Sequence, residues 1–204
     1  MRYLFAALML ALFLPFAAHA GPYDNTPEVR AVETYLANLK AVKARFLQTS
    51  NDGSRFAGDF MLKRPGRMRF EYDAPSTDFI TADGVFIYYY DGRMKEQKNA
   101  LISNSLADFF LRTDVRLSGD VRVTDVRRDD AQLLITVVQE KDPTAGSMTM
   151  IFTEKPKMEL KKWRVVDAHG TITEIELHDI QTGIKLENEA FRYYDPQRRQ
   201  PNYN

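Results

Sequence analysis

The chain has 204 residues, with 28 basic and 28 acidic side chains, no cysteine and one tryptophan. The even charge balance offers no basic surface for nucleic acid or an anionic membrane. The lack of cysteine excludes thiol chemistry, disulfides and thiolate-held metals. Thirteen Phe, ten Tyr and eight Met make large apolar side chains plentiful.

The first twenty residues form a leader. Arg2 opens a small positive region, Tyr3 to Ala17 is an apolar run interrupted only by Pro15, and Ala18-His19-Ala20 is an A-x-A pattern. This predicts a secretory signal peptide cut after Ala20. The run is too short for a comfortable membrane span, which needs about twenty apolar residues. Residues 21–204 then form a single domain of 184 residues, with 27 basic and 28 acidic side chains because Arg2 leaves with the leader.

Thr26-Pro27 predicts a helix N-cap with proline at the first helical position. Val29, Val32, Leu36 and Leu39 recur at helical spacing, so an amphipathic helix is predicted over 27–40. The period then changes to two. Val42, Ala44 and Phe46 alternate with Lys43, Arg45 and Leu47, and the turn cluster Asn51-Asp52-Gly53-Ser54 follows. Phe56 to Lys63 is a second strand, with Phe60 and Leu62 on its apolar face, and Arg64-Pro65-Gly66 ends it. In Arg67 to Tyr72, Met68 and Phe70 oppose Arg67, Arg69 and Glu71. Phe79 to Ala82 and Val85 to Tyr90 flank the hairpin signal Asp83-Gly84. The second of these strands is apolar or aromatic on both faces; Ile87 and Tyr89 are assigned inward. A strand over 93–97 follows Asp91-Gly92.

Residues 99–113 interrupt the strands. Leu101, Ile102, Leu106, Phe109, Phe110 and Leu111 crowd together at helical spacing, with Ser105 and Asp108 as a capping box. Such an apolar helix needs cover on nearly every side. Further strands are predicted over 115–126, 131–141, 147–154, 160–167, 171–179 and 185–191. Met148, Met150 and Phe152 share one face of the third of these. About eleven strands with two helical inserts predict a mainly β fold, one curved antiparallel sheet or barrel. An apolar concave face on such a sheet can hold a flexible ligand, and methionine suits that lining because it repacks easily.

Catalytic signals are sparse. Beyond the leader only His169 and His178 remain, in no metal-ligand spacing, so no metal site, catalytic residue or cofactor site is predicted. No nucleophile elbow or phosphate-binding glycine loop occurs. A periplasmic hydrolase acting on lipid or glycan would need an acid, base or nucleophile brought together inside the cavity, with no motif to announce it.

Several stretches, in this order and spacing, resemble the outer-membrane lipoprotein carrier (LolA) family. They are Phe46-Leu47-Gln48, Gly58 through Lys63-Arg64-Pro65 to Phe70-Glu71-Tyr72, and Ala82-Asp83-Gly84 with the aromatic strand to Tyr90-Asp91. Trp163 to Gly170, and Phe191 followed by Asp195-Pro196, fit as well. The resemblance covers nearly all of 21–204. It implies an unclosed antiparallel half-barrel of about eleven strands with a helical lid over an apolar cavity. It implies a non-enzymatic carrier in the periplasm, and nothing in the sequence suggests more than a monomer. Such a carrier takes acylated lipoproteins from an ATP-driven releasing transporter complex of the inner membrane and passes them to an outer-membrane lipoprotein receptor. Residue by residue, it makes Arg64 a lid latch bonded to lid carbonyls, and Leu106, Phe109 and Phe110 lid residues. The cavity lining would then be Phe46, Phe60, Leu62, Met68, Phe70, Ile87, Tyr89, Met148, Met150 and Phe152. The chain departs from the family pattern at Gly66-Arg67, where a bulky apolar residue is usual, and at Met61, where tryptophan is usual. A same-fold carrier or sensor of another lipid or glycolipid is therefore the alternative.

Overall fold

A computed structural model describes residues 21–105 and 107–198; the leader, Leu106 and residues 199–204 lie outside the described residues. Helix α1 (Pro27–Asn38) starts where the cap chemistry places it. The Thr26 hydroxyl oxygen accepts the Val29 N–H at 3.3 Å, and Pro27 occupies a position where no N–H is needed. Val29, Val32 and Leu36 are buried along one stripe. The helix ends at Asn38, two residues before Lys40, because the Leu39 N–H turns back to the Tyr35 and Leu36 carbonyls.

Eleven strands follow: β1 (Ala41–Ser50), β2 (Arg55–Lys63), β3 (Arg67–Tyr72), β4 (Phe79–Asp83), β5 (Phe86–Asp91), β6 (Glu96–Leu101), β7 (Val121–Asp129), β8 (Gln132–Gln139), β9 (Gly146–Thr153), β10 (Glu159–Asp167) and β11 (Ile172–Thr182). They form one sheet in the order β6-β5-β4-β3-β2-β1-β11-β10-β9-β8-β7. Every neighbour pairing is antiparallel. Two meanders are thus joined in the middle by the first and last strands. The end strands β6 and β7 do not pair with each other, so the sheet is an open half-barrel. The polar β6, Glu96-Gln97-Lys98-Asn99-Ala100-Leu101, is exposed along its length, which discourages pairing with another chain.

Register puts like with like. Val42, Leu62, Met68, Ala82 and Ile87 form one cross-strand row; Ala44, Phe60, Phe70, Ile80 and Tyr89 form the next. On the other half, Ile135, Met150, Trp163 and Ile175 make the corresponding row. These rows, α1 and the short helix α2 (Ala107–Leu111) enclose one hydrophobic core. The outer face carries charge pairs such as Arg45–Asp59 at 2.9 Å and Arg164–Glu174 at 3.2 Å.

Four local predictions change. The strand predicted from Val115 begins at Val121, and residues 115–120 cross instead as a loop that buries Val115 and Leu117. The strand predicted over 93–97 is displaced to Glu96–Leu101, so Leu101 ends a strand and does not begin a helix. The capping box does not form: the Ser105 hydroxyl donates to the Ile102 carbonyl at 2.8 Å, and the Asp108 N–H goes to the Ser105 backbone oxygen. Residues 185–191 make no strand. Lys63 Nζ donates to the Leu186 carbonyl and to Asn188 Oδ1, at 2.6 and 2.7 Å, and a 3-10 turn at Asn188–Phe191 packs on the outer side of β3 and β4.

That tail explains the two apolar faces of β5. Tyr193 stacks on Tyr88 with ring centres 4.6 Å apart, and Phe79 stacks on Tyr90 at 5.2 Å. Arg69 lies 5.0 Å from the Phe79 ring centre. One face of β5 therefore meets the main core and the other meets the C-terminal segment.

Candidate functional site

The inner face is built by period-two alternation and by one absence of bulk. Gly58 lies between Phe46 and Tyr72 in register; a Cβ there would come within 2.1 Å of the Glu71 carbonyl oxygen and 2.6 Å of the Phe46 ring. Glycine lets Phe46 lie across β2, where it meets Phe70 and Tyr72 edge-on at 5.1 and 5.2 Å. Phe46, Phe60, Leu62, Met150 and Phe152 are fully buried, and Met68, Phe70 and Met148 nearly so. Ile87 is half-buried against the same core. Tyr89 shares their face through its pairing with Ile80, yet it is 38% exposed, because it stands at the solvent end of the row. Phe109 and Phe110 are buried among these residues; Leu106 lies outside the described residues. The hollow of the half-barrel is therefore filled with side chains from α1 and α2.

At one end of this face the β2–β3 turn holds both helices. The Arg64 guanidinium donates from Nε to the Phe110 carbonyl at 2.9 Å and from Nη1 to the Leu39 carbonyl at 2.6 Å and to the Leu36 carbonyl. Its own N–H donates to the Lys40 carbonyl at 2.8 Å, and the Gly66 N–H donates to the Leu111 carbonyl at 2.8 Å. The last carbonyls of a helix lack intrahelical donors and form its negative end, so a cation with five N–H groups suits them. The guanidinium centre also lies 5.3 Å from the Phe110 ring centre. Burial pulls the Arg64 pKa down to about 10, which leaves it charged at neutral pH. No carboxylate among the described residues forms an ion pair with it, and Nη2 is buried without a partner. Gly66 completes the turn at φ +75°, and a Cβ there would sit 2.8 Å from the Gly84 Cα of the neighbouring turn.

Five contributing residues were not singled out as site residues from the sequence. Trp163 stands among the aromatic rings of this face, 5.6 Å from Phe60, 6.0 Å from Phe110 and 6.2 Å from Phe70. Its alternation with Val165 was the available signal, but the β10 bulge between Leu160 and Lys162 breaks the period just before it. Leu36 and Leu39 contribute through backbone carbonyls, which no side-chain pattern marks. Gln48 and Tyr72 bond across the face, the Tyr72 hydroxyl donating to Gln48 Oε1 at 2.6 Å. Burial raises the Tyr72 pKa to about 12, so the hydroxyl remains a donor.

An open half-barrel whose apolar inner face is closed by short helices defines a class of folds built around an apolar interior. The outer membrane lipoprotein carrier protein LolA family model matches residues 37–194, and the chain belongs to that family. It is similar to the outer-membrane lipoprotein carrier proteins of Methylococcus capsulatus (24% identity, covering 89% of this chain and 88% of the relative) and Methylobacillus flagellatus (24%, covering 96% of each). The protein of the same description from Legionella pneumophila strain Paris is 27% identical, with 83% of each chain covered. A LolA superfamily protein from Nitrosomonas europaea overlaps in outline at a TM-score of 0.43 and 10% identity, covering 81% of this chain and 97% of that one.

Proposed function

We propose that residues 21–204 act in the periplasm as a carrier of acylated lipoproteins, with no enzymatic step, after removal of residues 1–20. The protein accepts cargo from an inner-membrane releasing transporter and yields it to an outer-membrane receptor. The physical need is plain. Each acyl methylene withdrawn from water contributes about 0.8 kcal/mol, so the chains cannot cross the periplasm uncovered. Family membership supports the cargo class. The observation that carries the mechanism is the Arg64 contact set, which ties α1 and α2 together over the apolar face through three backbone carbonyls.

In this reading the helices are a lid and Arg64 is its latch. The empty carrier fills its own interior with Phe109, Phe110 and Leu111. Cargo displaces them, and the closed state competes with the loaded one. Release is favoured because re-closure restores the Arg64 bonds. Those bonds join a charged donor to helix-end carbonyls, of which Leu36 also accepts the Leu39 N–H, and bonds of this kind are each worth roughly 1.5–3 kcal/mol. Loss of the guanidinium weakens the closed state and leaves the loaded state relatively more stable.

The test separates loading from transfer, with a labelled lipoprotein and purified acceptor. Arg64→Leu should load normally and transfer poorly. Arg64→Lys should fall between, since an ammonium lacks the planar fork that reaches both helices. Transfer by Arg64→Leu at the unmutated rate would rule out the latch.

A further inference from the structure

The inner face changes character along its strands. Leu62 and Phe60 are 0% and 1% exposed, but Phe56, on the same face of β2, is 41% exposed. Tyr72, at the end of β3, is half-buried, and Tyr89, near the end of β5, is 38% exposed. Register confirms that these residues share the face: Phe56 pairs with Gln48, two residues beyond Phe46, and Tyr89 belongs to the Phe60–Phe70 row. Phe56, Tyr72 and Tyr89 line a groove of about 1170 Å³, walled by residues 52, 54–55, 73–78 and 91–93. It lies at the end of the sheet opposite the Arg64 turn.

Polarity rises in the same direction. Around Phe60 and Leu62 the rows carry apolar side chains as far as Ile80 and Ile87, and the Tyr89 hydroxyl stands at the outer end of the Phe60 row. At the boundary stand Gln48 and Tyr72, whose mutual bond uses the glutamine oxygen and leaves its two amide N–H donors for another acceptor. Beyond them come the Ser54, Ser76 and Thr77 side chains. The carboxylates of the groove are engaged locally and do not make it a cation site. Asp52 accepts from Ser54, Asp73 pairs with Arg45, Asp78 accepts the Gly92 N–H and Asp91 accepts the Met94 N–H.

From this gradient we infer that the groove binds the polar portion of an acylated peptide. Acyl chains lie in the apolar interior toward Arg64, the ester and amide linkages meet Gln48 and Tyr72, and the peptide backbone leaves across Phe56 and Tyr89. An amphipathic ligand takes this direction because its carbonyls would be costly among Phe60, Leu62, Met68 and Phe70, whose side chains carry no N–H or O–H donor. At the Arg64 end Nε and Nη1 are already committed to helix carbonyls, Nη2 is buried, and the face is covered by the helices. Exposed aromatic rings suit an extended peptide because they offer wide flat contact with few rotors to freeze. The inference rests on the carrier reading and adds the placement and direction of the cargo.

The experiment uses the full mature chain and two synthetic peptides of one sequence, each diacylated at its N-terminal residue. One carries a photoreactive group on the third peptide residue, the other at the end of an acyl chain. The peptide-borne group should label residues 52–57, 72–78 or 89–93, and the acyl-borne group should label the segments holding Phe60 and Trp163. In parallel, Phe56→Ser combined with Tyr89→Ser should weaken lipopeptide binding about tenfold, as expected for losing two aromatic contacts, and should weaken binding of the corresponding fatty acid less. Labelling of α2 by the peptide-borne group, with capture intact, overturns the direction while the carrier reading stands. Equal loss for lipopeptide and fatty acid does the same. If the unmutated protein captures neither lipopeptide, the carrier reading fails and this placement falls with it.

Discussion

The two ends of the inner face differ although one alternating pattern runs through both. On β2, Phe56 and Phe60 occupy the same face four residues apart, yet one is 41% exposed and the other 1%. At the Phe60 end the β2–β3 turn brings Arg64 under the C-termini of α1 and α2, and the helices press Phe109, Phe110 and Leu36 onto the sheet. At the Phe56 end no helix among the described residues arrives, and three turns leave a groove. Energy is concentrated where the face is covered, and adaptability is left where it is not.

The contrast can be broken by substitution. The largest effect is expected for Phe60→Ala, which removes a fully buried ring in contact with Phe70 and Trp163 and should cost about 3–5 kcal/mol in urea unfolding. Arg64→Leu comes next. It leaves the Leu36, Leu39 and Phe110 carbonyls without their donor but also frees the protein of a buried unpaired charge, so a net loss of roughly 2–4 kcal/mol is expected. Faster amide exchange confined to α1 and α2 would mark the loss as local, whereas uniform acceleration across the sheet would count against a role specific to the helices.

Alkaline titration probes the boundary between the two ends. Tyr72 keeps its proton up to about pH 12, while a tyrosine in the unfolded chain ionises near 10. The folded state therefore holds more protons between these values, and stability should fall as pH rises through that window. The Tyr72→Phe variant should show a shallower decline than the parent; identical slopes would mean that the hydroxyl is better solvated than its position indicates. The smallest effect is expected for Phe56→Ala, under about 1 kcal/mol, since half-exposed surface changes little on truncation. A cost matching that of Phe60→Ala would erase the distinction between the ends.

Local rules decided much of this molecule from the chain alone. The helix start at Thr26-Pro27, the alternation through Val42–Phe46 and Met68–Phe70, and the Asp83-Gly84 turn are set by neighbours within a few residues, so they are legible in sequence order. The apolar face of Phe46, Phe60, Leu62, Met150 and Phe152 followed from the same alternation. Contacts between distant segments carried no such signal. Ser105 and Asp108 have the spacing of a capping box, yet Ile102, whose N–H is held by the distant Val85 carbonyl, takes the Ser105 hydroxyl on its own carbonyl. Residues 185–191 alternate like a strand, but Lys63 and the outer aromatic face of β3–β5 hold them as a strap. That strap also explains why β5 is apolar on both sides, a pattern that alternation alone cannot resolve. The acceptors of Arg64 are backbone carbonyls, identical in every residue, and only the packing of α1 and α2 against one turn selects which three they are. Periodicity determines which side chains share a face; what covers that face, and where it is left open, depends on segments, one of them 123 residues away, that meet only when the sheet is complete.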